Sequence, residues 1–388
     1  MRLAIALVLS ALIAGCATAP PAPPDARFFR DASFRPPSQR ISAEDVFALS
    51  PEMKRYLRDE IEDRARVRGR QYALVDALYN RAQLQLEYDT ELTRNAAEAF
   101  ASRSGNCLSL VIMTAAFAKA LDLPVTYQKL IVDDVWARSG DVYLAIGHVN
   151  LTLGRYKSDE IGVGHLIGKK PHESDAVTID FVPHDVAQTM RTRPLGEQVI
   201  IAMYMNNRAV EALAQGRVDD AYWWSRAAVG QAPAFFVAYN TLGAIYQRHG
   251  DLQAAADVLR HVLDREPDNA QAMSNLIVVL RDMGRADEAQ RLEARLQQLE
   301  PEPAFAHFQR GMAAMKVGDM KTAQDELARE VRRAPDYHEF HFWLAVAYLN
   351  LGQVDDARRH LELAMRNSTT RRDHDLYAAK LERLSGAH

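Results

Sequence analysis

The sequence predicts an α+β module followed by an all-α solenoid of stacked helix pairs, with a non-globular leader ahead of both. Three observations carry that prediction. Glycine recurs at positions 216, 250, 284, 318 and 352, always 34 residues apart, as a repeated pair of helices requires. The segment from Cys107 to Pro124 is apolar nearly all round, the pattern of a helix buried in a globular core. Beyond Pro124, β-branched residues concentrate around 126 to 132, 142 to 154 and 176 to 182 and read as strands.

The leader comes first. Arg2 precedes an apolar run from Leu3 to Ile13 that is too short to span a bilayer comfortably, so residues 1–15 read as an export signal. Ala14-Gly15-Cys16 resembles the lipobox of bacterial lipoproteins. That resemblance implies cleavage before Cys16 and acylation of its thiol. With Ala17 next and not Asp, it also implies the outer membrane of a Gram-negative envelope, facing the periplasm. Residues 16–40 contain Pro20, Pro21, Pro23, Pro24, Pro36 and Pro37 without apolar periodicity, and read as an extended, polyproline-like tether.

Residues 41–195 form the mixed module. Ser42 caps a first helix with Glu44 and Asp45 in its first turn, and Pro51 separates it from a charged, periodic helix over Met53 to Tyr79. Another helical stretch runs from Asn95 to Ser102, and Ser104-Gly105-Asn106 interrupts it before Cys107. Asn106 can cap the buried helix, whose dipole then points at the sulfur and favours thiolate. Only two cysteines occur, so an acylated Cys16 leaves Cys107 without an intramolecular partner. It is either a packed core thiol or a reactive one.

Strand alternation puts Val149, Leu151 and Leu153 on one face and His148, Asn150 and Thr152 on the other. Thr178 and Asp180 likewise oppose Val177, Ile179 and Phe181. If these two strands pair antiparallel, His148 and Asp180 become cross-strand partners, and Asp180 can fix the imidazole tautomer as a thiol triad requires. Asp180 as a surface strand residue is the plainer alternative. His165, His172 and His184, in loop-like sequence, compete with His148 as base. The scattered histidines show no closed metal-ligand spacing, so neither a metal nor another cofactor is expected.

Gly105-Asn106-Cys107-Leu108-Ser109-Leu110, Leu123-Pro124, His148-Val149 and Ile179-Asp180-Phe181 resemble the bacterial transglutaminase-like cysteine proteins over roughly residues 85 to 185. The resemblance implies a papain-like α+β core with Cys107 as nucleophile, His148 as general base and acid, and Asp180 as orienting group. The segment between His148 and Asp180 is longer than the compact hairpin of that pattern. For the oxyanion hole, the Cys107 backbone N–H is a donor, with Gln83 and Tyr88 as side-chain candidates.

Residues 200–388 form the solenoid. Alanine follows each repeat glycine by five residues, at 221, 255, 289, 323 and 357, and Pro233, Pro267, Pro301 and Pro335 keep the same register. The spacing resembles the tetratricopeptide repeat and implies five repeats, with a final helix from Asp375 to Leu384 capping the open end. Such a solenoid implies a protein or peptide partner, and Asn240, Gln247, Arg248 and Phe308 on the first helices are candidates to line its groove. Trp223 and Trp224 read as packing between repeats.

A formal charge of −4 and the lack of a long basic run argue against nucleic acid as a partner. Two functions from different classes follow. One is a lipid-anchored periplasmic thiol enzyme of acyl transfer, peptidase or amidase before transamidase, whose repeats recruit a protein substrate. The other is a non-catalytic envelope assembly or scaffold lipoprotein that binds peptides or proteins through its repeats.

Overall fold

The computed structural model describes residues 26–79, 84, 86–89, 92–131, 135–139, 142–146, 148–154, 176–179, 191–302, 305–368 and 370–385. Cys16, Gln83, Asp180, His165, His172 and His184 lie outside them.

The mixed module opens with helix α1 (Pro51–Tyr56), where Pro51 occupies the first turn and Ser50 Oγ accepts the Met53 N–H. Pro51 therefore starts this helix. The first helix expected after Ser42 is only a short 3₁₀ turn, Glu44–Val46. A π-helical turn (Leu57–Glu62) joins α1 to α2 (Asp63–Arg68), and Gly69, with φ +86°, breaks the run before α3 (Arg70–Tyr79). Helix α4 (Ala96–Ser102) starts with a capping box between Asn95 and Glu98.

Helix α5 (Cys107–Ala120) is the buried one, with every residue from Cys107 to Ala118 inside. Asn106 caps it, and its Oδ1 accepts the Ser109 N–H at 2.9 Å. The helix packs on a four-stranded antiparallel sheet ordered β7-β6-β3-β8, built from β3 (Val125–Ile131), β6 (Val149–Leu153), β7 (Val177–Ile179) and β8 (Arg191–Leu195). Pro194 sits in β8, an edge strand, where its missing N–H costs no ladder bond. The expected strand over 142 to 154 is in fact two. Strand β5 (Val142–Ile146) pairs with β4 (Val135–Ser139) in a separate two-stranded sheet, and β6 alone joins the main one.

Ten helices form five pairs beyond residue 196: α6 (Glu197–Ala214) with α7 (Val218–Gln231), α8 (Phe236–His249) with α9 (Leu252–Arg265), α10 (Ala270–Asp282) with α11 (Ala286–Leu299), α12 (Ala306–Lys316) with α13 (Met320–Arg333), and α14 (His338–Asn350) with α15 (Val354–Arg366). Helix α16 (Arg371–Ser385) closes on α15. The five turn glycines all have positive φ, between 74° and 94°, which an L-residue adopts only at a cost. The alanines five residues later are all buried. At Gly243 the reason for glycine is space, since a Cβ there would stand 2.7 Å from Leu259 Cγ.

The two halves do not have separate cores. One cluster of buried side chains runs from Phe28 through the mixed module and the first three repeats to Ala289. Glu197 at the start of α6 ties them by polar contacts, accepting from Lys119 Nζ at 2.7 Å and Tyr127 Oη at 3.1 Å.

From Ala26 onward the expected tether is packed against the repeats. Phe34 stacks on Tyr222 with ring centroids 3.9 Å apart, and Phe28 lies 4.7 Å from the His261 ring. Both phenylalanines are buried, which is worth about 1.5–3 kcal/mol for each ring. The aromatic residues decide where this segment goes.

Candidate functional sites

Cys107 is the first residue of α5 and only 6% exposed. Its surroundings are built by short-range devices. Strands β1 (Glu87–Tyr88) and β2 (Ser104–Gly105) pair in parallel with Tyr88 opposite Gly105, which brings the Tyr88 hydroxyl within hydrogen-bonding reach of both the thiol and the backbone N–H of Cys107. Burial of the hydroxyl end pushes the phenol up, and the neighbouring sulfur adds to the push. The phenol therefore stays protonated across the neutral range and can donate a hydrogen bond. Gly105 admits no side chain, because a Cβ would meet Ser109 Cβ at 2.7 Å.

His148 immediately precedes β6, the strand on which α5 packs, and its carbonyl accepts the Leu130 N–H at 2.9 Å. Its ring is partly covered, with Nδ1 buried. Strands β6 and β7 are antiparallel neighbours, with Leu151 opposite Ile179 and Thr152 opposite Thr178. The polar face of β6 is inside the protein. Asn150 is 3% exposed, Thr152 is fully buried, and the Thr152 and Thr178 hydroxyls bond at 2.9 Å. Asp180 follows the last described pair of this ladder and lies outside the described residues.

A second layer joins this site to the first repeat. Thr93, 1% exposed, receives Asn106 Nδ2 on its hydroxyl at 2.9 Å and Asn207 Nδ2 at 3.2 Å. Its N–H donates to Glu211 Oε1 at 2.6 Å, and its carbonyl accepts from Arg208 at 3.1 Å. Asn207, Arg208 and Glu211 all belong to α6. The residue that caps the cysteine helix is thus held through Thr93 by a repeat helix. Burial raises the Glu211 pKa, and the Thr93 and Arg208 contacts only partly offset it.

The four groove candidates separate. Arg248 is exposed, and Gln247 donates to Asp282 at 3.0 Å. Asn240 is 3% exposed and its Oδ1 accepts from Asn275 in the next repeat at 3.1 Å, so it links repeats from within. Phe308 is buried against Phe340, at 5.3 Å, and serves the core of repeats four and five. The two tryptophans also differ. Trp224 packs edge-on against Tyr204 at 5.9 Å, whereas Trp223 Nε1 donates to the Arg35 carbonyl at 2.6 Å.

The contact of residues 26–38 with the repeats has no counterpart in the sequence reading. Its signal was Phe28, Phe29 and Phe34, three aromatic side chains within seven residues of an otherwise proline-rich stretch.

Tetratricopeptide repeat family models match residues 246–311 and 308–370. The C-terminal region is built of tetratricopeptide repeats. Protein FlbA of Caulobacter vibrioides is 28% identical over 126 residues, covering 32% of this chain and 21% of that protein, so the chain spans about a fifth of that relative. Among solved structures, TTC0263, a tetratricopeptide repeat protein of Thermus thermophilus, is 22% identical, with 47% of this chain and 99% of that chain covered and a TM-score of 0.31. YrrB, described as a tetratricopeptide repeat protein with an unusual peptide-binding site, is 20% identical with 46% and 92% covered and a TM-score of 0.25. Scores this low add nothing to the helix pairing described above.

Proposed function

We propose that this chain is a docking protein whose repeats hold a protein or peptide partner. The observation that carries this reading is the helix-pair solenoid with an unfilled row on its first helices. Val237, Thr241, Ala244 and Arg248 follow at intervals of four, three and four residues along one face of α8. Val237 stays 42% exposed there, and Val278 on α10 stays 44% exposed. Apolar and cationic groups on adjacent first helices suit an extended peptide carrying both apolar and acidic side chains. Panning a phage-displayed random dodecapeptide library on the chain should select peptides that bind saturably. Arg248→Glu combined with Val278→Asp should abolish that binding at unchanged circular dichroism. Failure to select any saturable peptide would end the reading.

A second reading is favoured by the position of Cys107, and under it the mixed module is a transglutaminase-like thiol enzyme. The Cys107 sulfur attacks an amide carbonyl, His148 passes the proton to the departing amine, and water then cleaves the thioester. Asp180 orients the imidazole, while Tyr88 and the Cys107 N–H face the developing oxyanion. The same proposal places the chain in the envelope, held to the outer membrane by lipid on Cys16. Iodoacetamide should alkylate Cys107 rapidly below about pH 7, and His148→Ala, Asp180→Asn and Asn106→Ala should slow it. An ordinary thiol pH profile, indifferent to all three substitutions, would leave the docking function alone.

A further inference from the structure

Residues 26–38 lie on the repeats as a receptor-bound peptide does, with two short 3₁₀ turns, Ala26–Phe28 and Asp31–Ser33, setting the spacing of their side chains. Side chains of the repeats satisfy the segment's backbone. Tyr246 Oη donates to the Phe28 carbonyl at 2.6 Å, Tyr222 Oη accepts the Arg30 N–H at 2.8 Å, Asp219 accepts the Arg35 N–H at 3.0 Å, and Asp220 accepts the Ser38 N–H at 2.7 Å. Two aromatic anchors enter the surface, Phe28 beside Tyr239 and His261, and Phe34 against Tyr222, Tyr246 and His249. Between them the Asp31 carboxylate takes the Tyr222 hydroxyl at 2.6 Å and Arg226 Nε at 2.7 Å. Burial opposes ionisation of Asp31, but these two bonds outweigh it and hold its carboxyl below the ordinary range.

The receptor side is particular to the start of the solenoid. Where repeat one has Tyr222-Trp223, the matching positions hold Ala256-Asp257, Gln290-Arg291, Gln324-Asp325 and Arg358-Arg359. No other repeat has an aromatic ring or a phenolic hydroxyl at that place. The surface is also distinct from the first-helix row. By helical periodicity, Tyr239, Tyr246 and His249 lie on the side of α8 opposite Val237, Thr241, Ala244 and Arg248.

We propose that α7, α8 and α9 form a second peptide site, specific for an aromatic residue, an acid three residues later and an aromatic residue three beyond that, which the chain's own Phe28, Asp31 and Phe34 occupy in cis. This deepens the docking reading and rests on it. A partner segment with that spacing binds by displacing residues 26–38, so the site is guarded by its own copy of the ligand.

The test titrates a fluorescein-labelled peptide of residues 26–38 against the full chain and its Phe28→Ala/Phe34→Ala variant, read by anisotropy. The variant should bind the peptide saturably and the wild-type chain at least about ten-fold more weakly, because the cis segment competes. Peptides with Asp31→Asn or Phe34→Ala, and the variant carrying Arg226→Ala as well, should each lose about ten-fold or more. Should the double variant lose the wild-type circular dichroism, an Asp31→Asn chain takes its place with the same expected order. No saturable binding to a folded variant overturns the proposal, as does equal binding of the altered peptides. A wild-type dimer that dissociates when Phe28 and Phe34 are removed also overturns it, by making a second copy the occupant. Library peptides that bind through Arg248 while the 26–38 peptide does not would sink this inference alone, and the absence of both would sink the docking reading with it.

Discussion

The first three repeats and the last two share a register but not a core. Repeats one to three belong to the cluster that also contains Phe28, Cys107 and Val149, whereas Phe305, Phe308, Leu327, Phe340 and Leu344 form their own cluster in repeats four and five. Helix α11, which ends the first block, buries only Ala289. Identical glycine and alanine spacing therefore specifies how each pair of helices turns and closes, while coupling between pairs depends on the residues each presents to the next. The front block is further bound by the segment at residues 26–38 and by Thr93. The rear block relies on aromatic packing of its own.

The sharpest way to break this comparison is a pair of core truncations. Tyr222→Ala removes a fully buried ring and its bonds to Arg30 and Asp31, and should cost the front block about 3–5 kcal/mol. Phe340→Ala, which empties the place between Phe305 at 5.1 Å and Tyr337 at 4.3 Å, should cost the rear block a similar amount, about 3–5 kcal/mol. Hydrogen exchange resolved by segment should show each loss confined to its block. Spread of either loss across both blocks would mean a single cooperative unit.

A smaller effect sharpens the link between α6 and the cysteine helix. Glu211→Ala leaves the buried Thr93 N–H without its acceptor and should cost about 1–3 kcal/mol, again only in the front block. Glu211→Gln keeps an acceptor oxygen and should cost less. Since the folded Glu211 pKa is raised above the ordinary 4.5, its stabilising contribution is full below that value and is lost as pH rises through the folded one. The Gln variant should therefore gain on wild type as pH increases, in thermal melts taken across that range.

The smallest predicted effect separates the blocks by pH. His341 Nδ1 and His360 Nδ1 stand 2.9 Å apart, and burial, then the facing imidazole, lowers the His360 pKa from 6.5 to about 4. Burial lowers His341 too. A depressed histidine contributes stability above its unfolded pKa and loses it as pH falls, here from about 6.5 toward about 4. The Asp31 and Asp220 carboxylates, both held below the ordinary 3.8, keep their contribution through that window. Exchange protection should thus fall in α14 and α15 before it falls in α7 and α8, and His360→Gln should flatten the rear-block dependence.

What could be read from the sequence was whatever local chemistry dictates. The 34-residue spacing located the repeat turns, since only glycine adopts their positive φ without strain, and Asn106 marked the start of the Cys107 helix because capping acts over three residues. Alternation gave the faces of the strands after His148 and before Asp180, while their antiparallel pairing was only a condition the sequence allowed and is seen in the fold. The docked segment did not, because its partners Asp219, Tyr222 and Tyr246 lie roughly two hundred residues away and proline content alone favours an extended, solvated chain. Likewise, alternation marked one face of β6 as polar, but only packing buries it, and an aromatic residue at a first-helix position, Phe308, looks the same whether it faces a groove or a core.

The contact between the Phe28 carbonyl and Tyr246 spans 218 residues of sequence. At translation rates of about 5–20 residues per second, Phe28 emerges roughly 10–45 s before its acceptor site exists. The earliest part of the front block to be made consequently cannot find its place until the second repeat is complete. Repeats four and five close on neighbours synthesised within seconds of them, so the two blocks mature on different clocks.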